Sequence, residues 1–162
     1  MEPRPLTIDL AFEESFDALY SRAYGVAFQL LGVRTEAEDV AQETLARAFL
    51  HWRKVHAYPE AWVVRVASNL SIDTWRRNRR FQTAEAPESL TPGPDAARID
   101  LHRALRRLSR RQREVLVLRF LADLPEADVA ETLGCSVGTV KVHASRGLAA
   151  LRVSMDVTPE VA

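Results

Sequence analysis

The sequence predicts an all-α protein made of two small helical domains joined by a flexible, proline-rich linker. Apolar residues recur at three- and four-residue steps, the spacing of amphipathic helices, and no segment alternates apolar and polar residues as a half-buried strand does. Residues 83–95 hold three of the eight prolines and almost no large apolar side chain, which is typical of an extended linker.

The domain boundaries follow from these segments. We expect residues 1–82 to form the first domain, residues 83–99 the linker, and residues 100–152 a second domain that contains a helix-turn-helix. Residues 153–162 are expected to form a short, loose tail.

Three helices are predicted in the first domain. Apolar residues at helical spacing define the first helix, which Gly32 ends. The second opens at a capping box, in which the hydroxyl of Thr35 precedes the carboxylate of Glu38 by three residues, and it runs to about Trp52. Pro59 is expected to start the third helix, because proline is favoured at the first helical position.

The third helix, predicted to run through Arg80, carries an ordered stripe. Six of its residues are spaced so that they project within about 80° of one another; they are Trp62, Arg65, Asn69, Asp73, Arg76 and Arg80. Bases of a single strand stack on aromatic rings and hydrogen-bond to amides, while arginines follow the phosphates. The stripe therefore indicates single-stranded nucleic acid, although Trp62 is equally explained as a core residue.

The second helix has the opposite character. Glu36, Asp39 and Glu43 lie on one side of it and form an acidic surface, which DNA would repel. We therefore expect this face to contact protein.

Four helices are predicted in the second domain. The first is short and carries leucines at helical spacing, and the second opens at a capping box formed by Ser109 and Gln112. The third starts at Pro125, and the fourth is capped by Ser136 and runs through Arg152.

Residues 125–151 have the pattern of a helix-turn-helix, with the small Ala130 where the helices meet and Gly134 at the turn. In this motif the second helix reads base edges while its N-terminus and flanking cations hold phosphates. Six residues of that helix fall within an arc of about 100° and are expected to be buried; they are Val137, Val140, Ala144, Gly147, Leu148 and Leu151. The residues expected to contact bases are Thr139, Val142, His143 and Arg146, and those expected to contact the DNA backbone are Ser136 and Lys141. The preceding basic helix is expected to add phosphate contacts through Arg110, Arg111 and Arg113.

Charge is segregated along a chain that is neutral overall. The 162 residues include 22 basic and 22 acidic side chains, yet residues 61–82 carry a net charge of +4 and residues 101–120 a net charge of +6, whereas residues 1–60 carry −4. Like charges in a block normally face solvent or a polyanion, and nucleic acid is the polyanion most available in a cytosol. Solvated arginine faces remain the alternative explanation.

Several classes of protein are excluded. No apolar run is long enough to span a membrane and no signal peptide is recognisable, so we expect a cytoplasmic protein. The single cysteine, Cys135, can form neither an internal disulfide nor a cysteine-rich zinc site. No nucleophile with its base, pair of carboxylates or phosphate loop stands at a workable spacing, so we expect no enzyme, no cofactor and no metal site.

Four segments together resemble the extracytoplasmic-function (ECF) type of bacterial RNA polymerase sigma factor. They are DVAQETLARAF (39–49), AWVVRVASNLSIDTWRRNRR (61–80), LSRRQREVLVLRF (108–120) and GCSVGTVKVHASRGLAALR (134–152). The resemblance implies that the first domain binds polymerase and melts the minus-ten promoter element, and that the second reads the minus-thirty-five element.

The resemblance also implies roles for individual residues. Those matching the polymerase-binding motif are Asp39, Gln42, Glu43 and Phe49. Those matching the promoter-melting helix are Trp62, Asn69, Asp73, Arg76 and Arg77, and those matching the recognition helix are Thr139, Lys141 and Arg146. Val142 and His143 replace a commoner small polar and basic pair, so the promoter sequence does not carry over from relatives.

The partners expected on this basis are core RNA polymerase, promoter DNA and, as is common in the family, an anti-sigma factor, with the free chain a monomer. Two other functions stay open at this point. A polymerase-independent helix-turn-helix regulator would usually dimerise, to place two recognition helices about one DNA turn apart. A pure protein-interaction module would show no salt-dependent association with DNA.

Overall fold

The computed structural model describes the backbone of residues 6–79 and 96–156, which forms helices and short turns. No strand occurs in these two ranges, and the prediction of an all-α fold is confirmed. The chain divides into two compact units, Met1–Glu88 and Ser89–Ala162. None of the helices within the described ranges is apolar over a length that would cross a bilayer.

The described residues of the first unit, 6–79, form four helices. Their bounds are α1 Leu6–Leu31, α2 Arg34–Leu50, α3 Trp52–Val55 and α4 Pro59–Arg79. Helix α1 packs against both α2 and α4, and α2 packs against α4. Alanines such as Ala23 on α1 and Ala41 on α2 are completely buried. Small side chains at these contacts let the helix backbones approach one another closely.

Aromatic rings also follow one side of α1. Phe16, Tyr20, Tyr24 and Phe28 stand four residues apart, and neighbouring rings are nearly parallel with centroids 5.7 to 6.4 Å apart. A second aromatic group forms where Phe12 contacts both Phe49 and Trp52, at centroid distances of 5.1 and 5.2 Å. These contacts hold the end of α2 and the short α3 against α1.

The beginning of α2 differs from the prediction. Helix α1 ends as expected at Gly32, whose φ of 71° lies in the left-handed region that glycine adopts without strain. Helix α2, however, begins at Arg34 with Val33 as its N-cap, so Thr35 lies inside the helix and the predicted capping box does not form. The carboxylate of Glu38 instead accepts a hydrogen bond from Arg34 Nε at 2.9 Å. The second helix also stops at Leu50, short of the predicted end at Trp52, because a separate turn follows it.

In the second unit, residues 96–156 are described and form four helices and a π-helical turn. Their bounds are α5 Ala96–Arg107, α6 Arg110–Leu116, the turn Val117–Leu121, α7 Glu126–Leu133 and α8 Val137–Asp156. Helix α8 packs against α6 and α7. The capping box at the start of α6 is confirmed: Ser109 Oγ accepts from the Gln112 amide, and Gln112 Oε1 accepts from the Ser109 amide, both at 3.3 Å.

Two boundaries in this unit also differ from expectation. Helix α5 begins at Ala96, within the stretch assigned to the linker, and α8 continues to Asp156 instead of ending at Arg152. The expectation of a loose tail is therefore wrong for residues 153–156. Residues 157–162, like residues 80–95, lie outside the part of the chain that the structure describes.

Helix α8 approaches α6 closely at Gly147. A Cβ atom at this position would lie 3.1 Å from two carbon atoms of Leu116, which is closer than ordinary van der Waals contact. Glycine therefore allows the two helices to pack at this distance. Val140, on the same side of α8, is completely buried, whereas Val137, the first residue of the helix, is exposed.

A buried charged cluster lies in α5 and α6. The carboxylate of Glu114 is almost inaccessible and accepts a hydrogen bond from Arg110 Nε at 2.7 Å and a longer one from Arg111 Nη1 at 3.4 Å. Arg111 Nη1 also donates to the Leu133 carbonyl at 3.4 Å, which connects α6 to the end of α7. Arg113 is only 8% exposed. These contacts make the cluster part of the scaffold that supports α7 and α8.

His102 is a buried member of this cluster. Burial, followed by the positive charges of Arg106 and Arg113, lowers the pKa of His102 from 6.5 to about 4. The neutral ring accepts a hydrogen bond from Arg106 Nε at 3.4 Å. Because the folded pKa lies below the unfolded value, the unfolded chain binds a proton first as pH falls. The contribution of the neutral His102 ring to the stability of the fold is therefore complete above about pH 6.5 and is lost as pH falls toward 4.

Between pH 7 and pH 4, we therefore expect the second unit of the unchanged protein to lose about 3 kcal/mol more unfolding free energy than the second unit of a His102→Gln variant. Far-UV circular dichroism during urea unfolding reports the loss of helix in both units. All three tryptophans, Trp52, Trp62 and Trp75, lie in the first unit, so their fluorescence isolates that unit's transition. Equal pH dependence in the two proteins would contradict the role given to His102.

Candidate nucleic-acid interfaces

Helix α4 presents the predicted stripe on its outer side. Its inner side is buried and includes Val63 and Ala67, both with no exposed surface. Ser68 and Ser71 are also buried, and each hydroxyl donates a hydrogen bond of 2.7 Å to the carbonyl four residues earlier. The two hydroxyls on the inner side thus have their hydrogen-bond partners within the helix itself. The residues of the stripe are left to face outward.

The stripe residues are exposed, with one exception. Arg65, Asn69, Asp73, Arg76 and Arg77 are exposed, and Trp62 is half-buried. The ring of Trp62 lies 6.2 Å from that of His51, measured between centroids. Arg77 Nη2 donates to Thr74 Oγ1 at 3.3 Å. Arg80 is outside the described residues. The result is one helix face that offers a half-buried aromatic ring, an amide and several cations together.

The acidic face lies on the neighbouring α2. Asp39, Gln42 and Glu43 are exposed, and Glu43 accepts a hydrogen bond from Arg47 Nε at 2.7 Å in an ion pair along the helix. Phe49, at the end of the same face, is 48% exposed although its ring contacts Phe12. The face therefore combines negative charge with one accessible aromatic ring.

One contact joins α2 to α4 and was not foreseen from the sequence. Asn78 Nδ2, near the end of α4, donates a short hydrogen bond to Glu36 Oε1 near the start of α2. The two residues are 42 positions apart, so no local pattern could have paired them. Glu36 is half-buried and is turned toward α4, which leaves Asp39 and Glu43 as the more accessible part of the acidic face.

The helix-turn-helix forms as predicted. Gly134 joins α7 to α8 with φ 65° and ψ 41°, in the left-handed region. Ser136 Oγ accepts a hydrogen bond from the Thr139 amide at 3.1 Å and lies 2.9 Å from Thr139 Oγ1. Ser136 therefore caps α8 and also holds the Thr139 side chain in place.

The residues assigned to DNA divide into two groups. Lys141, Val142 and Arg146 are exposed, as expected. Lys141 Nζ lies 3.8 Å from a carboxylate oxygen of Glu126, at the start of α7. Thr139 is half-buried through its contact with Ser136, and His143 is half-buried with its Nδ1 atom buried and without a hydrogen-bond partner. His143 is thus less accessible than the prediction required.

The basic helix α6 also differs from expectation. Arg113 is buried, so the prediction that it contacts phosphate is wrong. Arg110 and Arg111 are partly exposed but are engaged by Glu114. The buried carboxylate of Glu114 thus makes these two side chains part of the scaffold. Helical spacing predicts that the residues are neighbours, but it does not predict that Glu114 is buried.

Comparison with known proteins places this architecture in a family. The model of Sigma-70 region 2 matches residues 16–81, and that of Sigma-70 region 4 matches residues 98–151. The ECF RNA polymerase sigma factor SigL of Mycobacterium tuberculosis is 35% identical, with 80% of each chain covered. SigW of Bacillus subtilis is 29% identical, with 88% of this chain and 87% of SigW covered. SigE of Mycolicibacterium smegmatis is 33% identical, and this chain spans 63% of its length.

Solved structures agree at the level of the fold. Sigma factor RpoE of Bartonella quintana, solved with the anti-sigma factor NepR, has a TM-score of 0.66 and 24% identity over 91% of this chain and 98% of RpoE. SigJ of Mycobacterium tuberculosis has a TM-score of 0.55 and 30% identity over 85% of this chain and 52% of SigJ. With both sigma regions present in order and relatives at this level of identity, the chain belongs to the ECF family of RNA polymerase sigma factors.

Proposed function

We propose that this chain binds core RNA polymerase, directs it to specific promoters and assists opening of the DNA duplex at the start of transcription. The observation that carries the proposal is the pair of exposed faces in the first unit. An acidic face on α2 lies beside a basic and aromatic face on α4. A protein that bridges a polymerase and a promoter needs both surfaces, whereas one that contacts DNA alone has no use for the acidic face.

The proposed division of labour follows the two units. In the first unit, which contains the proposed polymerase-binding domain of residues 1–82, the α2 face would bind polymerase through Asp39, Gln42, Glu43 and Phe49. The α4 stripe, from Trp62 to Arg80, would hold the separated strand of the minus-ten element, with the ring stacking on a base and the arginines near phosphates. The exposure of most of these side chains supports this assignment.

In the second unit, which contains the proposed promoter-reading domain of residues 100–152, α8 would lie in the major groove of the minus-thirty-five element. Thr139, Val142 and Arg146 would face base edges, with His143 at the margin of the contact. Ser136 and Lys141 would lie near the DNA backbone. Capping of α8 by Ser136 supports this arrangement, because the start of the helix has to be ordered to contact the DNA.

The chain itself would carry out no catalysis, because RNA synthesis belongs to the polymerase, and it would act in the cytoplasm, where the polymerase works. Family membership also leads us to propose an anti-sigma factor as a further partner. A polymerase-independent regulator is disfavoured, because the relatives that share both regions are named as RNA polymerase sigma factors. We expect the free chain to elute as a monomer in size-exclusion chromatography.

The direct test is transcription in vitro. Core RNA polymerase, with and without this chain, is supplied with sheared genomic DNA from the source organism, and the 5′ ends of the transcripts are sequenced. We expect discrete new start sites that share an upstream motif. A folded chain that yields no new starts, elutes as a dimer and shifts DNA alone would favour the polymerase-independent regulator.

A charge reversal tests the acidic face. The double variant Asp39→Lys and Glu43→Lys is expected to stop binding core polymerase, because it replaces two negative charges in the proposed contact with positive ones. The fold should persist, since both residues are exposed and the lost pair with Arg47 is worth only about 0.5 kcal/mol.

The matched control is Glu13→Lys with Glu14→Lys, which makes the same change in net charge at two exposed positions on α1. Co-purification with core polymerase is the measurement, and circular dichroism verifies the fold. If the α2 variant still co-purifies, or if both double variants fail equally, the assignment of this face is wrong.

Arg146 tests the recognition helix. If Arg146 reads a base, Arg146→Ala should lose about 1 to 3 kcal/mol of discrimination between the promoter and a promoter altered at that base pair. Arg152→Ala, an exposed arginine near the end of the same helix, serves as the control and should keep full discrimination. The measurement is holoenzyme binding to the two DNA fragments at fixed salt. Equal weakening on both fragments would instead show that Arg146 contacts phosphate.

A further inference from the structure

The outermost point of α8 carries an apolar side chain. Val142 is 46% exposed, and at 100° per residue it stands about 150° from the buried positions Val140 and Gly147. Valine is also a poor helix former, because its branched side chain is restricted at χ1. A polar, straight-chain residue would suit this position better if only the fold mattered. Val142 is therefore placed, near the start of α8, where an apolar group outside the protein can contact it.

Gly138 lies one turn earlier and about 40° away on the same side of α8. A Cβ atom there would meet only Ser136 Oγ, at an ordinary 3.8 Å, and the backbone is not in the left-handed region. Neither packing nor conformation thus requires glycine, although glycine weakens a helix. What its missing side chain does provide is close access to the backbone of α8 from outside.

The major groove offers one apolar group to such a surface. Base edges present hydrogen-bond donors and acceptors, and only thymine adds a methyl group, at C5. We propose that Gly138 and Val142 form an apolar reading surface for the 5-methyl group of a thymine in the promoter element that α8 binds. Val142 supplies the methyl groups that pack, and Gly138 lets the helix come close to the base pair.

The neighbouring side chains fit this assignment. Arg146 lies one turn after Val142 on the same side and can hydrogen-bond to an adjacent base, while Thr139 is held by Ser136 at the start of the helix. The polar contacts would thus flank the apolar one. The inference deepens the proposed function and rests on it, because it identifies a chemical feature of the DNA that the recognition helix selects.

The test replaces thymine with deoxyuridine, which pairs identically but lacks the methyl group. Holoenzyme made from core polymerase and the full chain is bound to a promoter fragment obtained from the transcription experiment. Each thymine of the upstream element, on either strand, is replaced in turn. We expect one replacement to weaken binding about four-fold, which is the effect of exposing one buried methyl group.

Two variants connect that thymine to Val142. Val142→Ala should bind the thymine and deoxyuridine promoters equally. Val153→Ala is the control, because Val153 is an exposed valine on the same side of α8, about 16 Å further along. This variant should keep the four-fold difference between the two promoters.

Gly138→Ala separates a structural role from a contact role. Alanine is the better helix former, so the melting temperature of the variant should rise or stay constant. Binding to the thymine promoter should nevertheless weaken, because the added Cβ holds the helix away from the base pair. Weaker binding together with a lower melting temperature would instead show that Gly138 serves the fold and would overturn its part in the proposal.

The outcomes distinguish this inference from the proposed function. An absence of discrete start sites would overturn both. Discrete start sites with no thymine that responds to deoxyuridine would overturn the inference alone. A responsive thymine whose effect persists in Val142→Ala would assign the methyl contact to another residue and would overturn it as well.

Discussion

The burial of one side of each helix controls which residues are left for partners. On α4 the inner side holds Val63 and Ala67, and the hydroxyls of Ser68 and Ser71 are satisfied by carbonyls of the same helix. Apart from the half-buried Trp62, the outer face therefore contributes little to the core, and it carries arginines and an amide beside that ring. On α8 the close approach at Gly147 has the same effect, because it fixes which side of the helix faces α6. The proposed binding faces depend on this packing.

Opposite charges are used in different ways in the two units. In the first unit the acidic and basic faces occupy neighbouring helices, and the hydrogen bond between Asn78 and Glu36 joins those two helices. In the second unit the buried carboxylate of Glu114 instead engages Arg110 and Arg111 as part of the scaffold. A count of basic residues thus overstates the positive charge that this unit can offer to DNA, because Arg113 is also buried.

Local patterns predicted most of the fold, and the differences have identifiable causes. The capping box at Ser109 formed because that serine stands directly before its helix, whereas Thr35 failed as a cap because α2 already begins at Arg34 and Thr35 lies inside it. The partial burial of His143 follows from its position about 40° from Gly147 around α8, at the margin of the buried side. The burial of Arg113 depends on contacts between helices, which a single helix pattern does not contain.

The stiffness of Val142 affects how the recognition helix would select its DNA. A valine in a helix occupies one χ1 rotamer almost exclusively, and a glycine has no side chain to order. The apolar part of the reading surface would therefore lose little conformational entropy on binding, whereas a long side chain such as Arg146 gives up about 2 kcal/mol of rotamer freedom when it is fixed. Selection of a thymine by Val142 would depend on shape that exists before the DNA arrives, and selection by Arg146 on order that the DNA imposes.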